Sequence, residues 1–279
     1  MISLLNNTTS LQAQANLSKT QDALAGSIGR LSSGMRINSA SDDAAGLGIS
    51  QNLSANIASM AQAQRNANDG ISMSQVAEGS MNDMQGIVSR MRELSVQSAN
   101  ATLGNTERGY IQTEFTQLSS EINRISAVTS FNGQNLLDGT ASAGLQFQIG
   151  INNTANDRIA MSITKLTTST LGSSSLHIAS ASLSTATNAQ AAIGTFDKAI
   201  QQLSQARAKL GATQNRMTVT VSNLSSAQTN LTAANSRITD VDVASETANL
   251  TKSQILSQAG LAVLAQANSL PQAALKLLQ

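Results

Sequence analysis

Counted in steps of seven from Phe196, the chain places Leu203, Leu210, Met217, Leu224, Leu231 and Ile238 in one unbroken apolar column. An apolar residue at the same heptad position over so many repeats predicts a long helix in a coiled coil. At about 1.5 Å per residue such a helix runs roughly 70 Å. The neighbouring column is mixed: Ile193, Ile200 and Val221 are apolar, whereas Arg207, Gln214 and Gln228 are polar. Little in the sequence interrupts helices, because Pro271 is the only proline. It is expected to bend or restart the last one. Aromatic residues make up 2% of the chain, with Tyr110 the one tyrosine and no tryptophan. A wide globular core draws much of its buried area from aromatics, so the expected core is thin and filled by Leu, Ile, Val, Met and Ala.

The same pulse recurs elsewhere. Met73, Ser80, Ile87, Leu94 and Ala101 share one register, and Ala77, Met84 and Met91 a second. Tyr110, Phe115, Leu118, Ile122 and Ile125 recur at helical spacing. At the N-terminal end Leu17, Leu24 and Leu31 lie seven apart; at the C-terminal end Leu256, Val263, Leu270 and Leu277 do so, with Leu250, Leu261 and Leu264 nearby. The middle reads differently. Asn132-Gly133 and Asp138-Gly139 are turn dipeptides, and LQFQIGI and RIAMSIT alternate apolar and polar about NNTAND, which predicts a β-hairpin over about 145–164. A Ser/Thr-rich stretch, 166–188, reads as a surface connection to the long return helix. The fold class is therefore mainly α, with long coiled-coil helices, the N- and C-terminal segments pairing, and one small β-hairpin.

Several functions are excluded or left without residues. A formal net charge of +1 offers no field for nucleic acid or an anionic membrane. The last thirty residues lack charge between Lys252 and Lys276, yet Ser253, Gln254, Ser257, Gln258, Gln266, Asn268, Ser269 and Gln272 interrupt them. Membrane insertion is not expected at that polar density. No cysteine is present, and the beginning of the chain lacks the basic and apolar regions of a secretory signal. His177 stands alone, without a second ligand. Ser41, Asp42 and Asp43 before AAGLGIS read as helix capping, and Gly46-Leu47-Gly48 lacks the strand and third glycine of a nucleotide loop. Glu93 between Arg90 and Arg92 reads as a solvated helix face with local ion pairs. No nucleophile, base and oxyanion donors assemble, so neither catalytic residues nor a cofactor or metal site is expected, and the chain is not read as an enzyme.

Residues 31–50 (LSSGMRINSASDDAAGLGIS), 65–84 (RNANDGISMSQVAEGSMNDM), 90–100 (RMRELSVQSAN), 131–137 (FNGQNLL) and 254–278 (QILSQAGLAVLAQANSLPQAALKLL) closely resemble bacterial flagellin in a short form without large outer domains. The likeness covers nearly all of 1–165 and 190–279 in the family's order. It implies an extracellular structural subunit that is secreted by flagellar type III export and polymerises with itself into the filament used for swimming. It implies an inner coiled coil from 1–33 with 247–279, a spoke from 34–46 with 236–246, and a rod domain over 47–235. The inner seam falls on Leu17, Leu24, Leu31, Leu250, Leu256, Leu261, Val263, Leu264, Leu270 and Leu277, and the rod seam on the Phe196–Ile238 column. The implied partners are further copies of the chain, the export apparatus and its chaperone, and the hook-associated and cap proteins. Vertebrate toll-like receptor five is a further implied partner, through Arg90, Glu93, Leu94, Gln97 and Glu114; Ser89 departs from the glutamine common beside that arginine.

A hook-associated junction protein of the flagellum is the rival reading, since it shares helical ends but joins rather than polymerises at length. The match through 254–278 and the compact middle favour the filament subunit. Some flagellins carry a metalloprotease insert, but no His-Glu-x-x-His exists in this chain.

Overall fold

The computed structural model describes residues 7–172 and 175–276, with side chains as far as Ser269. In chain order the elements are α1 (Thr8–Ser33), α2 (Ala44–Ser98), α3 (Asn105–Val128), β1 (Ser130–Phe131), β2 (Gln134–Asn135), β3 (Leu145–Gln148), β4 (Arg158–Met161), α4 (Ala186–Thr239) and α5 (Val243–Lys276). The chain divides into two compact units, one of residues 1–57 with 229–279 and one of 58–228, so α2 and α4 each contribute to both.

In the unit of 58–228 the core is built by α2, α3 and α4 with the two hairpins. Phe196, Leu203, Leu210 and Met217 of α4 are buried, whereas Leu224 keeps part of its surface. Along α2 in this unit the buried positions are Ala63, Ala67, Gly70, Met73, Ser74, Ala77, Met81, Met84, Val88, Met91, Leu94, Ser95 and Ser98, in which steps of four and three recur. Many are small, yet the register of Ala77, Met84 and Met91 is wholly buried. Of the other register Met73 and Leu94 are buried, Ser80 and Ile87 are half-buried, and Ala101 lies beyond the helix end. Close approach of α2 to its neighbours is what those small residues permit. In α3 the buried phase runs through Ile111, Phe115 and Ile122, and Tyr110, one residue off that face, is 73% exposed. The Phe115 and Phe196 rings meet edge to face at 5.9 Å, the preferred geometry for aromatic pairs.

The expected hairpin is present. Strands β3 and β4 pair antiparallel, Leu145 opposite Met161 and Gln148 opposite Arg158, and are shorter than the alternating stretches. A second, two-residue hairpin joins β1 and β2 across Asn132-Gly133, where both turn residues have positive φ, as Asn-Gly hairpins require. The reading of 166–188 as a surface connection is corrected. Leu166, Leu171, Ile178, Ala181 and Leu183 are buried in the same core. The segment is stapled by side chains reaching its backbone: Ser98 Oγ donates to the Leu183 carbonyl at 2.5 Å, and Gln112 Oε1 accepts the Leu183 N–H at 2.6 Å. Ser and Thr dominate its composition, but an apolar residue every few positions suffices to peg it down.

In the other unit α1 and α5 pack together. The turn from α1 is closed by Gly34, whose φ of 72° puts it in the left-handed region that glycine tolerates. Arg36 N–H donates to the Thr239 carbonyl at 2.6 Å and Val241 N–H to the Gly34 carbonyl at 3.0 Å, pinning 34–36 against the end of α4. The break between α4 and α5 spans Asp240–Asp242, and Asp242 Oδ1 caps α5 by accepting the Ala244 N–H at 3.0 Å. Asp43 does the same for α2, accepting the Gly46 N–H at 2.8 Å. Pro271 does not restart the last helix, since α5 continues through it to Lys276.

Candidate functional site

Helix α1 turns Ser10, Ala13, Leu17, Thr20, Leu24, Ser27 and Leu31 away from solvent, and α5 does so with Glu246, Leu250, Ser253, Ser257, Gly260, Leu264 and Ala267. Both series alternate steps of three and four, the spacing of a coiled-coil seam. Leucines alternate with Ala, Ser, Thr and Gly, and the helices come close where a Cβ on Gly260 would lie 3.3 Å from Leu17 Cδ1. The expected seam residues Leu17, Leu24, Leu31, Leu250 and Leu264 are thus brought together. Leu256, Leu261 and Val263 are not: they are 48, 52 and 57% exposed. The phase is set by Leu250 and Leu264, and one position along a helix rotates a side chain by about 100°, which carries Leu256 and Val263 off the paired face. Leu270 falls within α5 but its side chain, like the whole of Leu277, lies outside the described residues.

Polar contacts fix both ends of the pair. Glu246 Oε1 accepts from Arg30 Nε at 3.1 Å and Nη2 at 2.8 Å. The Arg30 guanidinium, followed by the Ser27 hydroxyl, holds the Glu246 carboxyl below the usual carboxylate range. At the opposite end Asn7 Nδ2 donates to the Ala267 carbonyl at 3.0 Å and Ser10 Oγ to Asn268 Oδ1 at 2.8 Å. None of these polar residues stands out in the sequence as a site; only the rarity of charge near the termini singles out Arg30 and Glu246.

In the other unit, Arg90 Nε bonds Glu114 at 2.9 Å and Arg90 Nη1 bonds Glu93 at 3.2 Å, with Gln97 exposed beside them. Leu94 does not belong to that surface. It is 1% exposed, inside the α2–α3–α4 core. A group missed in the sequence is Arg108, which is 8% exposed and donates to the Ser98 and Asn100 carbonyls, both at 2.9 Å. It caps the C-terminal end of α2 with a cation. Among the described residues no group of His, Asp and Glu is placed to hold a metal ion, and no helix is long and apolar enough to cross a membrane.

Residues 4–142 match the bacterial flagellin N-terminal helical region and residues 193–278 the bacterial flagellin C-terminal helical region. The flagellin of Halalkalibacterium halodurans is 43% identical over 264 residues, 95% of this chain and 93% of its own. This chain belongs to the flagellin family. The flagellar filament core protein flaB2 of Brachyspira hyodysenteriae is 40% identical over 283 residues, covering 98% of this flagellin and 99% of that protein. The crystal structure of Bacillus cereus flagellin aligns over 61% of this chain and 94% of its own at 30% identity and a TM-score of 0.49. Flagellins are structural proteins, the subunits of the flagellar filament, and this one is a short form: its whole-length relatives match it from end to end. The junction-protein alternative is not favoured.

Proposed function

We propose that this flagellin polymerises through its terminal helix pair, which folds as the inner core of the filament and presents apolar side chains on both flanks of its own seam to neighbouring copies. The carrying observation is the surface of the α1–α5 unit. Leu11, Ile28, Ile49, Ile255, Leu256, Leu261 and Val263 are all about half exposed or more, apolar surface that the seam within one copy leaves in water. Leu256, Leu261 and Val263 act in the seam between subunits, and Leu17, Leu24, Leu31, Leu250 and Leu264 in the seam within one. Residues 1–33 with 247–279 form the core pair, 34–46 with 236–246 the connecting spoke, and 47–235 the remaining domain. Ala, Ser, Asn and Gln in place of charge suit a tightly packed core, where an unpaired charge is costly.

The test is the Leu256→Asp variant. The α1–α5 seam within the chain leaves Leu256 exposed, so the variant folds its 58–228 unit normally, with unchanged urea unfolding, and grows no filaments from wild-type seeds. Filaments of ordinary yield would refute the role. Leu264→Asp also abolishes growth, through the intramolecular seam.

The role is structural and not catalytic. Delivery by the flagellar export apparatus with its chaperone, and end contacts with hook-associated and cap proteins, belong to the same proposal, as does an extracellular location. The Arg90, Glu93, Gln97 and Glu114 surface is offered for lateral contact and for toll-like receptor five, without Leu94.

A further inference from the structure

We propose that Asn7 is a positioning residue that fixes the register of the terminal helix pair at its open end, by donating to the backbone carbonyl that Pro271 leaves without a helical partner. In an α-helix the carbonyl of one residue accepts the N–H four positions on, so the Ala267 carbonyl is due the N–H of residue 271, which a proline lacks. Ala267 is 5% exposed, and a buried carbonyl left unpaired is costly. The side-chain amide of Asn7 meets that need across the pair, with Nδ2 3.0 Å from the Ala267 oxygen.

The same amide serves α1 with its other atom. Asn7 Oδ1 accepts the Ser10 N–H at 3.1 Å and the Thr9 hydroxyl at 2.8 Å, which makes it the N-cap of α1. One planar group therefore satisfies an orphan donor at the start of α1 and an orphan acceptor inside α5. Both are fixed in position along their helices, so the bond exists in a single register. The seam supplies less discrimination. Between its leucines the seam carries Ser10, Ala13, Thr20 and Ser27 on α1 and Ser253, Ser257, Gly260 and Ala267 on α5, small side chains that tolerate a shift of one helical turn better than interlocking large ones do. The Arg30–Glu246 pair holds the opposite end of the same alignment. The Ser10–Asn268 bond at 2.8 Å lies beside the Asn7 contact and favours the same alignment. The proline that should break α5 thus becomes the feature that marks where α1 must begin.

The inference rests on the filament reading, and growth of wild-type filaments tests that reading separately. Asn7→Asp keeps a good N-cap acceptor but cannot donate to Ala267, and Pro271→Ala restores the missing N–H. Full-length wild type, Asn7→Asp, Pro271→Ala and the double variant are grown on wild-type seeds, and the critical concentration of each is read by sedimentation. Asn7→Asp raises it about tenfold in the Pro271 background, the size of one unsatisfied buried carbonyl, and by less than about twofold with Pro271→Ala. Equal penalties in both backgrounds, or none in either, would overturn the proposal. Solid-state NMR of wild-type filaments reads the contact without any variant: a cross-peak between Asn7 Nδ2 and the Ala267 carbonyl carbon is expected, and its absence contradicts the assignment.

Discussion

Glu246 and Arg108 show how much single polar side chains carry in a chain with so little charge. The Glu246 carboxyl titrates below its ordinary value because Arg30 donates to it twice and Ser27 once more. A depressed folded-state value means the stabilisation is present above the ordinary carboxylate pKa and is lost as pH falls through the lowered one. Filaments should therefore dissociate more easily as pH drops below about 4.5. Asp42 and Asp138 are lowered as well, so the diagnostic quantity is the difference between wild type and Glu246→Gln. Glu246→Gln should cost about 1–2 kcal/mol at neutral pH, and the gap between the two melting curves should close in acid. Arg108 is a separate case. Arg108→Leu leaves the Ser98 and Asn100 carbonyls without their cationic cap, and urea unfolding should register a loss of about 2–3 kcal/mol. Neither role is legible in the sequence, since Arg108 sits near the start of a helix three positions after Asn105 and its partners are backbone carbonyls that no side-chain pattern records.

At the scale of elements, leucine columns were the readable part. Phe196 to Met217, and Leu17, Leu24 and Leu31, are buried or half-buried where their heptad spacing puts them. In α2 the Ala77, Met84 and Met91 register is buried as its spacing predicts. The phase fails in α5, which packs through Ser253, Ser257 and Gly260 as well as leucines, small residues that a hydrophobic count does not notice. The leucines of α5 then suggest the wrong face, and Leu256, Leu261 and Val263 stand outside the intramolecular seam. The 166–188 segment failed for the opposite reason, a few buried apolar residues being hidden among hydroxyls. Gly260 gives the element-level prediction. Gly260→Leu inserts a side chain where Leu17 already stands at 3.3 Å from a Cβ, so α1 and α5 must separate and the overpacking penalty is about 1–3 kcal/mol. Seeded growth should fall at least tenfold while urea unfolding of the 58–228 unit is unchanged.

For the whole molecule, the two units differ in what they can hold together alone. The 58–228 unit owns a continuous buried core from Met73 to Leu210. The terminal pair has a narrow seam of alternating small and large residues, one ion pair in which two Arg30 nitrogens share Glu246 Oε1, and the Asn7 contact, and leaves several large apolar side chains in water. Isolated helices of that kind are marginal in solution, so copies of the chain must complete what one copy begins. Family membership was readable because long stretches at both ends, such as 31–50 and 254–278, carry the resemblance; the division of labour between the sides of α5 was not, because it depends on helix phase. Hydrogen exchange of backbone amides, compared between dilute monomer and filament, tests the coupling of terminal folding to assembly most directly. The amides of α1 and α5 should exchange almost freely in the monomer and become protected on polymerisation, while those of α3 and of Ala186–Met217 stay protected in both states. Full protection of α1 and α5 in a dilute monomer would contradict this account.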